Sequence, residues 1–375
     1  MEAKDLISKI KDITLYVPLD LNHYTYIYAS VFKFAETYNL NVKIKYKNFN
    51  ARGRISVLNH VMEVSNSVYR KVFYVKLSFK DNTPNKILAF DLDDIPYYFS
   101  EHCFRHADVV FKRNFIQEYI SVLPDTFKGK LRPLGVSYKL KPAQSFSIRF
   151  KGLFLYSKFR HEFKLDCFFL MRIQSLFKSS LMAFQRLNQA KSEHLFNEYH
   201  VPDNTNIFYQ KRFFKQVNSQ DIKDVHGQRV RVIRLLKQHF PKYFKGGLKR
   251  DVYVAKAYND CFSNIGSEQE FIEASRASGI SVYTRGIAQS VGWSLPELMA
   301  QSRCIVAEKI TNTLPFNLIE GKDILFFENE TNLISILEQL IRDKEQVKRI
   351  GSHARKTFET YMSTDVFFEN ALTQI

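Results

Sequence analysis

The pattern of apolar and polar positions in the first half of the chain predicts strands that alternate with helices. Residues 13–18 form a β-branched and aromatic run that ends in proline, and residues 41–46 alternate between apolar and polar, so each is typical of a strand. Residues 24–38, between them, predict a helix. Further strands are predicted at residues 72–77, 86–90, 109–111 and 130–133. This rhythm favours a parallel sheet with crossover helices.

The second half of the chain continues the rhythm after a break at residues 201–204. Residues 165–199, before the break, have a helical composition without glycine or proline. Strands are then predicted at residues 205–210, 251–255, 280–283, 304–307 and 323–327. Helices are predicted at residues 228–240, 268–277, 331–342 and 344–361. Gly279 is expected to end the second of these helices, and Ser294 to cap a further short one.

These elements predict an α/β chain with two domains. Residues 1–200 would form the first Rossmann-like domain and residues 201–362 the second. Residues 363–375 predict a C-terminal helix, placed so that it could pack back on the first domain. A length of 375 residues is ample for two separate cores.

The composition favours a cytoplasmic protein. No window holds 18 uninterrupted apolar residues, so no transmembrane helix is expected. The charged residues 1–5 lead into no apolar run, so we expect no signal peptide. The cysteines are scattered without a CxxC pair, which favours reduced, buried thiols at Cys103, Cys167, Cys261 and Cys304.

The positive charge lies mainly in the first half of the chain. The net charge is +17, and residues 1–200 hold 31 Lys and Arg against 18 Asp and Glu. Residues 126–161 hold nine basic residues, no acidic one and several aromatics. Such a surface attracts an anionic membrane, and this is the partner we predict for it. In one alternative interpretation, the aromatics belong to the core and the lysines are simply solvated. In another, the surface binds nucleic acid. We do not expect nucleic-acid binding, because no RRM, KH, helix-turn-helix or zinc-finger signature is present.

Part of the second domain resembles a known family. The resemblance runs through residues 295–308 (LPELMAQSRCIVAE) and 314–327 (LPFNLIEGKDILFF), and closes at residues 332–334, 351–356 (GSHARK) and Tyr361. This part of the chain is similar to the nucleotide-sugar-binding domain of GT-B glycosyltransferases, nearest to the bacterial group 1 and spore-protein-like families. That resemblance implies two Rossmann-like domains that face each other across a cleft, and a nucleotide-sugar donor.

One departure from the family leaves the stereochemistry open. Many group 1 enzymes place two glutamates eight positions apart around the donor. Here Glu308 and Glu320 are twelve apart, and residues 311–315 (TNTLP) replace the small-residue turn between them. Inversion and retention therefore both remain possible.

Basic residues that follow predicted strands are the candidates for binding the donor diphosphate. Arg212 and Arg285 each follow a strand, where open α/β sheets bind ligands, and Lys309 follows a third. Each could instead be a solvated surface cation. No DxD motif follows a strand in this half, so we expect a metal-independent enzyme without a cofactor.

Short polar residues and one glutamate complete the predicted donor site. Thr311, Asn312 and Thr313 offer groups suited to the sugar or phosphate. By the resemblance, Glu320 would hydrogen-bond the ribose hydroxyls. Gly246 and Gly247 could let backbone amides face a phosphate, although such a pair is more often simply part of a turn.

An acidic cluster in the first domain is the candidate for the general base that an inverting reaction would need on the acceptor side. Asp91, Asp93 and Asp94 directly follow an apolar strand, and clustered carboxylates can raise the pKa of one member. The cluster also fits a DxD metal motif or an Asp-capped turn before Pro96. His102 and His106 are second-choice bases.

The sequence thus predicts a bacterial enzyme that moves a sugar from a nucleotide-sugar to a lipid-linked or polysaccharide acceptor, as in capsule or O-antigen synthesis. We expect it at the inner face of the cell membrane. One alternative is a teichoic-acid-type polyol-phosphate transferase, for which the second half offers only His226, His239 and His353. The other is a non-enzymatic basic protein that binds glycan or nucleic acid.

Overall fold

The computed structural model describes residues 3–21, 24–47, 52–162, 169–188, 190–201, 203–214, 219–250 and 256–375. By its internal contacts the chain forms two compact units. Unit 1 comprises Met1–Glu193, Thr313–Pro315 and Ser363–Ile375, and unit 2 comprises His194–Asn312 and Phe316–Met362. Each unit combines a sheet with helices, so the α/β fold expected from the sequence is confirmed.

Unit 1 is built on a six-stranded mixed sheet. Its strands and those of a smaller sheet are β1 (Ile10–Tyr16), β2 (Asn41–Lys45), β3 (Arg52–Leu58), β4 (Val61–Val68), β5 (Val72–Phe79), β6 (Lys86–Asp91), β7 (Tyr98–Ser100), β8 (Val109–Lys112) and β9 (Leu131–Pro133). The large sheet has the order β2-β1-β5-β6-β8-β9. Strand β5 runs antiparallel to both of its neighbours, so the parallel sheet expected from the sequence is found only in the pairings β1–β2, β6–β8 and β8–β9.

The helices of unit 1 occur between these strands and after them. They are α1 (Ala3–Lys9), α2 (Tyr24–Thr37), α3 (Glu101–His106), α4 (Gln117–Ser121), α5 (Asp125–Lys128), α6 (Ile148–Glu162) and α7 (Phe169–Asn188). The helical composition of residues 165–199 extends beyond α7, and the chain then forms only a short 3₁₀ turn at Glu193–Phe196.

The smaller sheet of unit 1 consists of β4, β3 and β7, all antiparallel. The sequence did not predict β3 or β4. They form a hairpin whose turn residues, Asn59 and His60, both have positive φ angles, as the tight turns that match strand twist require.

Aromatic residues form much of the core of unit 1. Phe73, Phe90 and Phe111 occupy paired positions on β5, β6 and β8, and their rings stack at 5.0 and 5.1 Å between centroids. Within the basic stretch 126–161, Tyr138 and Phe150 are buried as well. These two aromatics belong to the core and are not part of an exposed surface, whereas Tyr156 of the same stretch is 48% exposed.

Unit 2 is built on a five-stranded parallel sheet. Its strands are β10 (Ile207–Lys211), β11 (Phe244–Leu248), β12 (Ile280–Tyr283), β13 (Cys304–Glu308) and β14 (Leu325–Phe327). Its helices are α8 (Gln220–His239), α9 (Glu268–Arg276), α10 (Ser294–Ala300), α11 (Glu330–Arg342) and α12 (Lys344–Thr357). The order is β11-β10-β12-β13-β14, so the strand order reverses beside β10 and β12, and all carboxyl ends lie on one edge.

Side-chain caps fix where α8 and α9 of unit 2 begin. Ser219 caps α8, and Ser267 forms a capping box with Glu270 at the start of α9. Helix α10 starts at Ser294 itself, one residue earlier than a Ser294 cap requires, and Gly279 lies beyond the end of α9. Both expectations about these ends are therefore wrong by one or two residues.

The glycine pair that follows α8 belongs to strand β11 and is not a turn. Gly246 and Gly247 have φ angles of +126° and +135°. A Cβ on Gly246 would lie 2.1 Å from the carbonyl oxygen of Tyr209, on the neighbouring strand. Only glycine permits this approach of two backbones. The strand predicted at residues 251–255 lies outside the described residues.

The chain ends in helix α13 (Phe367–Leu372), which follows a π-helical turn at Phe358–Met362. This helix packs on α2 within unit 1. Phe368 donates its backbone N–H to the Ser30 hydroxyl at 2.9 Å, and the rings of Phe367 and Tyr26 lie 4.6 Å apart. Among the described residues, none of the helices is long and apolar enough to cross a bilayer.

Candidate functional site

A pocket of about 220 Å³ lies in unit 2 where β12 and β13 end. These strands are adjacent and parallel, so the loops that follow them leave the sheet at the same edge. The pocket is lined by residues of both strand ends and both loops: Tyr283, Arg285, Gln289, Ser290, Val291, Glu308, Lys309, Ile310 and Thr311.

The loop after β12 has a tightly wound backbone. Ala288 and Gln289 adopt left-handed conformations with φ angles of 49° and 60°. The N–H of Gly286 donates to the Ser290 carbonyl at 2.8 Å, which closes the turn. Left-handed conformations are unfavourable for residues with a Cβ, and such strain concentrates at ligand-binding segments.

A carboxylate from α8 holds this loop in place. Asp221 lies in the first turn of α8 and accepts the N–H of Ala288 at 2.6 Å. Its other oxygen pairs with the Arg285 guanidinium at 2.6 Å. Glu308, at the end of β13, accepts the backbone N–H of Arg285 at 3.0 Å. Arg285 therefore lies between two carboxylates, which orient it in the wall of the pocket.

The loop after β13 is tied to the loop after β12. The Thr311 hydroxyl donates to the side-chain oxygen of Gln289 at 2.9 Å, and the Asn312 amide donates to the Gln289 carbonyl at 2.7 Å. Lys309, between Glu308 and these residues, is exposed at the pocket. The two loops thus form one wall that carries two cations and several hydroxyl and amide groups.

Two further cations lie close to the ends of the strands. Lys211, the last residue of β10, contacts the Thr284 carbonyl and the Ser294 hydroxyl, each at 3.3 Å. Burial, reinforced by the nearby Arg229, lowers the pKa of Lys211 to about 7. Arg229 is buried and donates to the Arg212 carbonyl. This edge of the sheet therefore carries several cations, which lie beside the carboxylates of Asp221 and Glu308 and can contact an anionic ligand.

The structure brings together part of the predicted donor site. Arg285, Lys309 and Thr311 line the pocket, and Asn312 supports it through Gln289. Arg212 and Glu320 are not among the described residues that line the pocket. Both are exposed on unit 2. Thr313 is grouped with unit 1, where its N–H donates to the Phe115 carbonyl.

Sequence reasoning missed several residues of this site. Asp221 is 64 positions before its partner Arg285, and only the strand order brings them together. Gln289 gave no signal because its role depends on a left-handed backbone. Glu308 was recognised through the family resemblance but was not expected to hold Arg285.

In unit 1, the three aspartates of the predicted base cluster have different environments. Asp91 is 1% exposed and pairs with Lys112 at 3.1 Å, while the Tyr69 hydroxyl donates to it at 2.9 Å. Desolvation raises the pKa of Asp91, and Lys112 opposes that effect. Asp94 pairs with Lys71 at 2.6 Å and also with Arg113. Asp93 accepts the N–H of Ile95 at 2.9 Å.

His102 lies near this cluster, and it lines a small pocket of about 30 Å³ together with Tyr69, whose hydroxyl donates to Asp91. His102 is buried, and its Nδ1 lies 2.6 Å from the Tyr74 hydroxyl. Burial, with the nearby His106 and Lys47, lowers the pKa of His102 to about 4, so its imidazole is neutral at pH 7. Tyr16 and Lys47 line the same pocket.

Two further findings bear on the alternatives. In unit 2, Nε2 of His226 accepts the N–H of Phe214 at 2.9 Å, and its ring stacks on Phe213, so this histidine has a structural role. Within the described ranges, no three His, Cys, Asp or Glu side chains are grouped so that they could hold a metal ion.

Comparison with known proteins gives weak likenesses. No family model and no curated protein matches the chain. Similar solved structures include HepE from Anabaena in complex with UDP (15% identity, 72% of this chain and 63% of HepE, TM-score 0.39). TarM from S. aureus matches at 11% identity over 98% of this chain and 100% of TarM (TM-score 0.41). The C-terminal domain of LpcC, a group 1 family glycosyl transferase from Francisella tularensis, matches at 17% over 45% of this chain and 91% of that domain (TM-score 0.30).

These solved structures are glycosyltransferases, the class that the C-terminal sequence resembles. The chain spans 63% of the length of HepE. Each of the three TM-scores lies below 0.5.

Proposed function

We propose that this protein is a glycosyltransferase with a nucleotide-sugar donor, and that the pocket of unit 2 binds the donor diphosphate. One observation carries the proposal. Arg285 and Lys309 come from two adjacent loops at the carboxyl edge of a parallel sheet, and both face the same pocket. Open α/β sheets bind their ligands at this edge.

The chemistry of glycosyl transfer fits this arrangement. As the bond to the sugar breaks, negative charge develops on the diphosphate. Fixed cations stabilise that charge without reorganising. Arg285 is oriented by Asp221 and Glu308 before any ligand arrives. We therefore propose that the basic side chains balance the diphosphate charge without a divalent cation, so that EDTA leaves nucleotide binding unchanged.

The remaining predicted donor residues differ in what supports them. Thr311 lines the pocket and offers a hydroxyl to phosphate or sugar. Arg212, Thr313 and Glu320 lie outside its lining, so we propose no direct contact between them and the diphosphate. Contacts of these three with the nucleoside or the sugar remain proposals that rest on the sequence resemblance alone.

On the acceptor side, Asp93 is the best-supported general base. Asp91 and Asp94 are engaged in ion pairs, and a carboxylate that neutralises a buried cation is poorly available to accept a proton. Among the described residues, Asp93 forms no ion pair with a basic side chain. We propose that Asp93 accepts the proton of the acceptor hydroxyl.

The acceptor that we propose is a lipid-linked glycan or a growing polysaccharide, as in capsule or O-antigen synthesis, at the inner face of a bacterial membrane. The excess of basic residues in the first half of the chain supports this location.

Thermal denaturation with UDP, GDP, CDP, TDP and CMP tests the donor site. One nucleotide should raise the melting temperature clearly, and Arg285→Ala should abolish that rise. Arg231→Ala is the matched control, since Arg231 also pairs with a carboxylate at 2.6 Å in unit 2 but does not line the pocket. If no nucleotide stabilises the protein while it is retained on DNA, the proposal fails. If Arg285→Ala responds like the wild type, the pocket is not the donor site.

A further inference from the structure

Helix α7 exposes large apolar side chains on its outer face. Leu170, Met171, Phe177, Leu181 and Met182 are each between 40% and 78% exposed. The spacing of seven and four residues places Leu170, Phe177 and Leu181 on one stripe. A neighbouring face, about 100° around the helix from this stripe, is buried through Leu176 and Leu187. The helix therefore has one face that supports the fold and one apolar stripe that the fold does not cover.

Helix α6 packs against the inner face of α7. The ring of Phe184 on α7 contacts Phe154 on α6, with 5.5 Å between centroids, and Lys158 donates to the Ser179 hydroxyl at 3.2 Å. Ile148, at the start of α6, is 90% exposed. The two helices thus support each other and hold the exposed stripe in a fixed orientation. We call them the α6–α7 pair.

The α6–α7 pair is strongly basic. Helix α6 carries four Lys or Arg and one Glu, and α7 carries three Lys or Arg and no acidic residue. The exposed members are Arg149, Lys151, Arg160, Lys178 and Arg186. In the part of the chain that the structure describes, none of these five forms an ion pair with a carboxylate. Their positive charge is therefore available to an external anion.

The combination of an apolar stripe with flanking cations selects among possible partners. A nucleic acid would use the cations but would leave Leu170, Phe177 and Leu181 in water. An acidic protein surface would leave the same side chains without an apolar environment. A bilayer with anionic lipids accommodates both, because the stripe can enter the boundary of the acyl chains while Lys and Arg remain among the headgroups.

We propose that the α6–α7 pair is a membrane-binding surface, whose stripe of Leu170, Phe177 and Leu181 inserts into a bilayer that contains anionic lipid. This inference rests on the membrane location in the proposed function and names the surface responsible. It overlaps the stretch 126–161 predicted from the sequence, because α6 lies almost entirely within that stretch, and it extends the stretch by α7, which carries the apolar stripe.

Flotation with lipid vesicles tests the surface. The wild type should float with vesicles of phosphatidylglycerol and phosphatidylcholine, and much less with phosphatidylcholine alone. The triple variant Leu170→Ser/Phe177→Ser/Leu181→Ser should bind the anionic vesicles at least about tenfold more weakly, because it loses the inserting side chains. The variant Lys178→Gln/Arg186→Gln should lose affinity for the anionic vesicles only.

A matched control removes the same kind of side chain elsewhere on unit 1. Val61, Val64 and Val68 on β4 are between 41% and 57% exposed, and their replacement by Ser should leave flotation unchanged. The proposal is overturned if the α7 triple variant floats like the wild type, if the β4 variant loses as much binding, or if the wild type binds a DNA duplex but no vesicle.

Fluorescence locates the contact on α7. The chain has a single tryptophan, Trp293 in unit 2. In a Phe177→Trp variant, anionic vesicles should shift the emission to the blue beyond any change seen in the wild type. An unshifted spectrum on bound protein would exclude insertion at this position. The nucleotide-induced thermal shift should persist in every variant, so a missing shift would refute the proposed donor site without affecting the membrane result.

Discussion

A lysine and an aspartate with almost no solvent exposure neutralise each other at the ends of two neighbouring strands. Lys112 on β8 is 0% exposed and Asp91 on β6 is 1% exposed, and Tyr69 hydrogen-bonds to both. Replacing Asp91 with Asn leaves the ammonium group buried without a counter-charge. We expect Asp91→Asn to lower the free energy of unfolding by about 3–5 kcal/mol, as urea denaturation would measure.

Two variants separate this structural role from catalysis. Lys112→Met in the Asp91→Asn background should recover part of the lost stability, because it removes the unpaired charge. Asp93→Asn should leave stability within about 1 kcal/mol of the wild type and should abolish sugar transfer while nucleotide binding persists. A stable but inactive Asp91→Asn protein would instead assign the base to Asp91.

Lys211 makes the stability of unit 2 depend on pH. The ordinary pKa of a lysine is 10.5, and in the folded protein the pKa of Lys211 is lowered to about 7. Burial is the main cause and Arg229 adds to it, while Glu308 and Glu297 oppose the shift. Between these values the unfolded chain binds the extra proton, so this residue makes stability rise as pH increases from about 7 toward 10. Lys211→Met should flatten that rise in urea denaturation series at pH 7, 8 and 9. An unchanged slope would show that Lys211 keeps its charge in the folded state.

At the scale of elements, the packing of β11 against its neighbours depends on two glycines, of which Gly246 faces β10. A Cβ on Gly246 would lie 2.1 Å from the Tyr209 oxygen, and one on Gly247 would lie 2.5 Å from the Cys261 oxygen. Backbone oxygens cannot yield as a flexible side chain can. We expect Gly246→Ala to destabilise unit 2 by at least about 2 kcal/mol in thermal or urea unfolding.

The control for that substitution lies in α8, where Gly227 has helical neighbours and its Cβ would meet only the end of the Arg231 side chain, at 3.3 Å. Gly227→Ala should stabilise the protein by about 0.5–1 kcal/mol, because alanine is the better helix former. If both alanine variants behaved alike, the close approach of the two strands would be refuted.

The same elements show what the sequence could and could not predict about the fold. Buried strands such as β12 and β13 were predicted within a residue, since short runs of mainly apolar and β-branched residues, ISVY and CIVA, leave few alternatives. The direction of β5 was not, because an apolar pattern is the same for parallel and antiparallel neighbours. The hairpin of β3 and β4 was missed because its turn, Asn59-His60, lacks the usual glycine, and β4 buries little.

The residues of the candidate site also differ in whether the sequence could predict them. Arg285, Lys309 and Thr311 could be predicted because each follows a strand whose end was already fixed by the apolar pattern. Asp221 could not, because its contact with Arg285 depends on how α8 packs beside the end of β12. Local sequence therefore predicted two cations that line the pocket and one, Arg212, that does not, and only the tertiary structure showed which carboxylates orient Arg285.

At the scale of the whole molecule, the charge and the pocket belong to different parts of the chain. Residues 1–200 carry most of the net charge of +17, and the α6–α7 pair is its most concentrated helical part. The pocket of unit 2 instead combines its cations with the carboxylates of Asp221 and Glu308. Salt should therefore weaken an interaction through the α6–α7 pair more than nucleotide binding, since exposed charges are screened most effectively.

Nucleotide binding should consequently leave a protection pattern confined to a few segments. A ligand that orders the pocket slows amide exchange most in the two loops that form its wall, residues 284–291 and 308–312, and in the first turn of α8, where Asp221 holds Ala288. At a ligand concentration one hundred times the Kd, exchange there should slow by up to about a hundredfold. Hydrogen–deuterium exchange followed by mass spectrometry measures this directly. Protection centred on Arg212 and on residues 320–324 would place the donor on the residues outside the pocket, and protection of α7 would connect the membrane surface with the nucleotide site.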